Sequence, residues 1–265
     1  MEIAGYIASL IIGISLGLIG GGGSILTVPV MVYLFSIQPL LATSYSLFVV
    51  GTTSLVGAAN NYKRGFVNVN TALLFGVSSV ITVFFTRKFI IPAIAGFTVN
   101  INGLIVTEAM FTMVLFALQM IVAAVSMIKT KRQSVVEMRG SKRINFSSLL
   151  LYGIAIGFIT GLLGAGGGFL LIPTLVIVVG LPMKEAVGTS LLIIALNSLI
   201  GFAGDLGHFA IDWRLLLTVT AIAIAGIFIG GAIAKKIPAE KLKKGFGWFV
   251  LVMGIYIILK EAVFN

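Results

Sequence analysis

Cysteine is absent from all 265 residues, which removes thiol catalysis, disulfides and thiolate metal sites together. Acidic residues number 8 and histidine 1, too few and too scattered for a His-rich metal centre or a paired-carboxylate active site. No Ser-His-Asp grouping is legible, so neither an enzyme nor a metal or other cofactor is expected. Charge is scarce as well. Only 10% of residues are charged, where a soluble domain carries roughly 25%.

Apolar length takes the place of charge. Hydrophobic residues make up 59% of the chain and the mean hydropathy is +1.16. No charge falls between Ile3 and Tyr62, and none between Ile144 and Met183. Shorter uncharged runs cover 65–86, 89–107, 109–128, 186–204, 215–234 and 245–259. A helix of about 20 apolar residues crosses the hydrocarbon of a bilayer, and lipid offers the backbone no hydrogen-bond partner. The chain therefore reads as an all-α integral membrane protein whose first partner is the lipid bilayer. Its acidic start, Met1-Glu2, lacks the basic region of a cleaved leader, so none is expected. The net charge of +10 is the Lys/Arg excess of cytoplasmic loops, and no nucleic-acid partner is implied.

The chain is doubled. Gly17-Leu-Ile-Gly-Gly-Gly-Gly-Ser-Ile-Leu-Thr-Val-Pro29 returns as Gly161-Leu-Leu-Gly-Ala-Gly-Gly-Gly-Phe-Leu-Leu-Ile-Pro173. Thr43-Ser44 matches Thr189-Ser190, Ser54 matches Ser198, and Ile91-Pro92-Ala93 matches Ile237-Pro238-Ala239. Helical segments are expected near 3–19, 25–36, 40–60, 69–86 and 107–128, then near 146–163, 169–180, 185–204, 213–234 and 245–260. The domains are a first membrane repeat over 1–128, a basic linker over 129–145, and a second repeat over 146–265. An insertion near 96–103 is confined to the first half.

Five segments per half is an odd number, so the second repeat should enter the membrane inverted. With the linker cytoplasmic, that arrangement places 14 of the 18 Lys+Arg inside, as the positive-inside bias requires. Arg87, Lys88, Arg214 and Lys260 are left outside. Segments 25–36 and 169–180 are roughly 18 Å long at 1.5 Å per residue, too short to cross upright. Each half is thus expected to hold a glycine-broken helical hairpin plus three spanning helices.

A helix starting at Ser24-Ile25 or Gly168-Phe169 exposes unpaired N–H groups and the positive end of its dipole. Glycines before it let a ligand approach the backbone, which makes an anion site without a basic side chain. The candidate substrate-binding residues are Gly21, Gly22, Gly23, Ser24, Thr43, Ser44, Gly166, Gly167, Gly168, Thr189, Ser190 and Asn197. Packing explains other glycines: Gly13/Gly17 and Gly157/Gly161 have the spacing that lets helix backbones meet. Serine and threonine in membrane helices also bond their own backbone, a competing use for every hydroxyl named. Glu108, Glu185, Asp205, His208 and Asp212 lie near segment ends, where solvated loop charges are expected. Asp205 and His208 are candidates for handling a coupling proton.

These motifs resemble the TauE/SafE family of sulfite and organosulfonate permeases. The resemblance lies in the two glycine motifs, Ala42-Thr-Ser44 and Gly188-Thr-Ser190, Gly207–Trp213, and the Ile-Pro-Ala before the last helix of each half. It implies a permease of the bacterial plasma membrane for a small sulfur-containing anion, with the substrate at Gly20–Ser24 and Gly164–Gly168. Without an ATP-binding domain, active transport would draw on a gradient. A passive small-anion channel is the alternative, and a homo-oligomer remains open.

Overall fold

The computed structural model describes residues 2–96, 98–101, 104–129, 146–233 and 239–263. Most of the 129–145 linker lies outside these residues. The first half runs α1 (Glu2–Ile19), a 3-10 turn (Gly21–Leu26), α2 (Thr27–Tyr33), α3 (Pro39–Lys63), α4 (Val69–Ile94) and α5 (Glu108–Lys129). The second runs α6 (Phe146–Leu163), α7 (Gly168–Ile177), α8 (Met183–Asp205), α9 (Trp213–Ile233) and α10 (Ala239–Val263). Among the described residues, five helices are long and apolar enough to cross a membrane. Among the described residues the strands form one antiparallel hairpin in the first-half insertion, β1 (Thr98–Ile101) with β2 (Leu104–Thr107), paired from Thr98↔Thr107 to Ile101↔Leu104.

Local chemistry ends the equivalent helices alike. The Gly20 amide bonds Leu16 O and the Gly164 amide bonds Thr160 O, each 2.9 Å, and both glycines have positive φ (74° and 68°). Past the short helices, Ser36 and Gly180 are left-handed (56° and 77°). They let Ile37 N reach Met31 O and Leu181 N reach Leu175 O, so both short helices end with the same wide seven-residue backbone bond. Asn68 caps α4 by accepting from Thr71 N, and Asp212 caps α9 by accepting from Leu215 N. Asp212 is thus a helix cap, 144 positions after another.

Packing repeats the duplication. The most extensive pairings are α1 with α9, α4 with α6, α3 with α8 and α5 with α10. Exchanging the halves maps the first pairing onto the second and each of the others onto itself. Direction follows from the glycine approaches. A Cβ at Gly51 would meet Leu199 and one at Gly57 would meet Leu191, so α3 and α8 run antiparallel. On α10, Gly247 faces Met127 and Gly254 faces Met120, so α5 and α10 do the same. Gly13 and Gly17 lie on the backbone of α9 at Ala223 and Gly230, while Gly157 lies on Ser79 of α4. Those glycines serve close helix packing, since any side chain there would displace main chain.

Leu73, Val77, Ile81 and Phe85 form an i, i+4 stripe on α4, each at least half exposed. Water would penalise such a stripe, whereas lipid is its matching solvent. The molecule therefore has an apolar outside, and its polar residues turn inward. Ser24, Thr43, Ser44, Ser46, Thr53, Thr189, Ser190, Asn197 and Ser198 are all wholly buried.

Candidate functional site

The two glycine breaks meet. A Cβ built on Gly21 would stand 2.6 Å from Gly168 Cα, and one built on Gly168 would collide with Gly21 in turn. Only paired glycines allow main chain to approach main chain so closely. In the first copy the helix does not begin at Ser24-Ile25 as the sequence suggests. The chain enters a 3-10 turn at Gly21, which contains Gly22, Gly23 and Ser24, and becomes α-helical at Thr27. In the second copy Gly164, Gly166 and Gly167 all have positive φ before α7 opens at Gly168.

Hydroxyls stitch the breaks together. Ser24 donates to Gly21 O and, through a very short contact, to Ala165 O on the opposite break. Ser46 donates to Gly164 O at 2.8 Å. A Cβ at Gly164 would stand 2.5 Å from Thr43 O, so α3 lies directly on the second break. Thr43 donates to Leu40 O and Ser190 to Val187 O, while Thr189 accepts from Asn68 N. Ser24, Thr43, Thr189 and Ser190 are therefore committed to holding backbone.

Other polar atoms are buried and, among the described residues, unpartnered. They include the hydroxyls of Ser15, Ser44, Ser54, Thr160 and Ser198 and Asn197 Oδ1. Several lie on the crossing. Gly23 abuts Ser15, Gly167 abuts Thr160, and Ser198 Oγ is 3.5 Å from a Cβ at Gly166. Asn197 Nδ2 donates to Ser79 Oγ at 2.5 Å, leaving its acceptor oxygen free. A buried hydroxyl without a partner costs about 1–3 kcal/mol, so the crossing is a place where a ligand's hydrogen bonds would be repaid. It is also closed to solvent: Ser24, Thr43, Thr160 and Ser198 have no exposure. An apolar cleft of about 540 Å³ exists elsewhere, between α4 and α6 at Leu73, Val77, Ile81 and Ile154.

Sequence reasoning missed the charge beside this crossing. It stops the fourth segment at 86 and leaves Arg87 as an external loop residue. In the structure α4 continues to Ile94 through a π turn, Thr86–Ile90, in which the Ile91 amide bonds back to Thr86 O. Such widened turns occur frequently at functional sites. Thr86 and Arg87 are buried on the inner face while Lys88 is exposed. The Arg87 Nη1 donates to Asp205 Oδ2 and to Thr43 Oγ1, each at 3.0 Å, and both members of the ion pair have no exposure. Gly204 on α8 makes room, since a Cβ there would sit 3.1 Å from that of Arg87. A buried basic side chain therefore stands beside the crossing. Asp205 is not a solvated end charge, whereas His208 is exposed. The usable signal was an arginine one turn before Pro92, a position a helix can reach.

Fold and crossing together define a duplicated, polytopic membrane protein with a buried polar centre built from two glycine breaks. The chain belongs to the sulfite exporter TauE/SafE family, whose profile matches residues 6–257. A probable membrane transporter protein of Xylella fastidiosa (strain 9a5c) is 26% identical over 256 residues, covering 95% of this chain and 92% of that one. The probable membrane transporter protein YdhB of Bacillus subtilis is 26% identical, covering 94% of this chain and 96% of its own. One from Methanocaldococcus jannaschii is also 26% identical, with 96% and 94% covered. No solved structure matches. The chain is thus a membrane transporter by family.

Proposed function

We propose that this transporter is a secondary carrier of a small sulfur-containing oxyanion, sulfite or an organosulfonate, bound where the glycine breaks cross. The observation that carries the reading is the backbone contact of Gly21 with Gly168 amid buried hydroxyls that lack partners. Gly21–Gly23 and Gly166–Gly168 supply main-chain approach, Ser198 supplies a free hydroxyl, and the Ser44 hydroxyl lies within reach of the Asp205 carboxylate. Ser24, Thr43, Thr189 and Ser190 shape the frame around them. The free atom of Asn197 is an acceptor, suited to a donor such as a hydroxyl rather than to the oxyanion itself.

Equivalent helices that run antiparallel support inverted repeats, and inverted repeats support alternating access, in which the halves rock about a fixed central site. A crossing closed to water fits an occluded member of that cycle, with the 129–145 linker on the cytoplasmic face of the plasma membrane. Reconstituted liposomes test the proposal. Sulfite or an organosulfonate should cross saturably, with no unitary currents in planar bilayers. Absence of flux across the panel by folded protein, or single-channel currents carried by the anion, would contradict it.

A further inference from the structure

The carrier reading leaves Arg87 unexplained, because a site made of main chain and hydroxyls does not require it. Arg87 is the largest wholly buried side chain among the described residues. A guanidinium has five N–H donors. Here Nη1 serves both Thr43 Oγ1 and Asp205 Oδ2, while Nε and Nη2 have no partner among the described residues. Asp205 Oδ1 likewise lacks a hydrogen bond of ordinary geometry, although the Ser44 hydroxyl lies within reach of that carboxylate. A pair kept for structure alone would be expected to close as a fork, two parallel N–H groups on two oxygens. This one meets end-on through one nitrogen and one oxygen. The Nε–Nη2 edge, the half of the guanidinium that best fits an oxyanion, is left open in a dry interior.

The open edge belongs to a residue tied to the crossing. Arg87 bonds Thr43, Thr43 O lies against Gly164, and Ser46 of the same helix holds Gly164 O. A buried, incompletely satisfied cation within a membrane span is costly unless something repays it. Asp205 neutralises the charge but does not saturate the donors.

We propose that the Nε–Nη2 edge of Arg87 is the charge-recognising element of the anion site, with Asp205 as the counter-ion that orients it from Nη1. This rests on the carrier reading and adds its selectivity. Two parallel N–H groups match an oxyanion with two oxygens and give no such advantage to a halide. Sulfite should therefore be taken and chloride refused. Asp205 opposes the bound anion electrostatically, so the two members of the pair should affect affinity in opposite directions.

The test is sulfite binding to the purified, detergent-solubilised full chain, read as the ligand-induced rise in unfolding temperature and as a Kd, with chloride in parallel. Arg87→Gln combined with Asp205→Asn removes both charges while keeping amide shapes, so the fold is not left with an unpaired buried ion. That double variant should bind sulfite at least about tenfold more weakly, the loss expected for charge-assisted hydrogen bonds. Arg87→Lys keeps the charge but not the fork and should also weaken binding. Asp205→Asn alone should lower stability without sulfite yet bind sulfite more tightly. Wild-type affinity in the double variant, weakened binding in Asp205→Asn, or equal binding of chloride would overturn the proposal. Absence of sulfite flux in liposomes despite Arg87-dependent binding would fell the carrier reading alone. Flux with Arg87-independent binding would fell this inference alone.

Discussion

Gly13 and Gly76 are the same residue type in apolar helices, and the structure gives them opposite roles. A Cβ at Gly13 would strike the Ala223 carbonyl of α9, whereas one at Gly76 would meet nothing within 4 Å. Gly13→Ala should therefore destabilise by about 1–3 kcal/mol, the usual cost of overpacking against an unyielding neighbour. Gly76→Ala should be neutral or stabilise by up to about 1 kcal/mol through helix propensity. Denaturation of both variants in mixed micelles checks the pair. Spacing alone identified Gly13/Gly17 and Gly157/Gly161 as packing positions, because four-residue glycine intervals have one dominant use in membrane helices. Arg87 escaped the same reasoning. A charge ending an apolar run reads as a loop, and only the π turn of α4 and the gap at Gly204 show how it is carried inward.

The elements were largely visible in the sequence where an apolar run was bounded by glycine or charge. Segments expected near 3–19, 40–60, 146–163, 185–204 and 213–234 correspond to α1, α3, α6, α8 and α9. The glycine motifs marked the breaks but not their geometry. A four-glycine run can turn in several ways, and here the first copy tightens into a 3-10 turn while the second uses three positive φ values. Nothing in the sequence foretold the 98–107 hairpin either, since it has no counterpart in the second half.

The crossing of the two breaks yields a prediction at this scale. Gly21→Ala and Gly168→Ala each place a methyl group into the same backbone contact. Either should push the breaks apart, and the second should then cost less than the first. A double-mutant cycle on stability should show coupling of 0.5–3 kcal/mol in magnitude, as for residues in contact. Strict additivity would mean the breaks do not share a contact.

For the molecule as a whole, the doubled motif disclosed two related halves, and an odd segment number with loop charges is the ground for expecting their relative inversion. The absence of cysteine makes that topology directly testable. Single replacements Lys63→Cys and Lys184→Cys should react with an impermeant maleimide from the cytoplasmic face only. Lys88→Cys and Arg214→Cys should react from the external face only. Lys184→Cys reacting from the external face and Arg214→Cys from the cytoplasmic face, with Lys63→Cys and Lys88→Cys unchanged, would leave the halves parallel.

Transport is the property that joins these scales. The most direct measurement is counterflow of labelled sulfite into liposomes preloaded with unlabelled sulfite, for the wild type and for Gly21→Leu. A carrier working through the crossing predicts transient accumulation of label by the wild type and none by the variant, with both proteins folded in the membrane. Equal counterflow by the variant, or passive equilibration without overshoot by the wild type, would contradict the account.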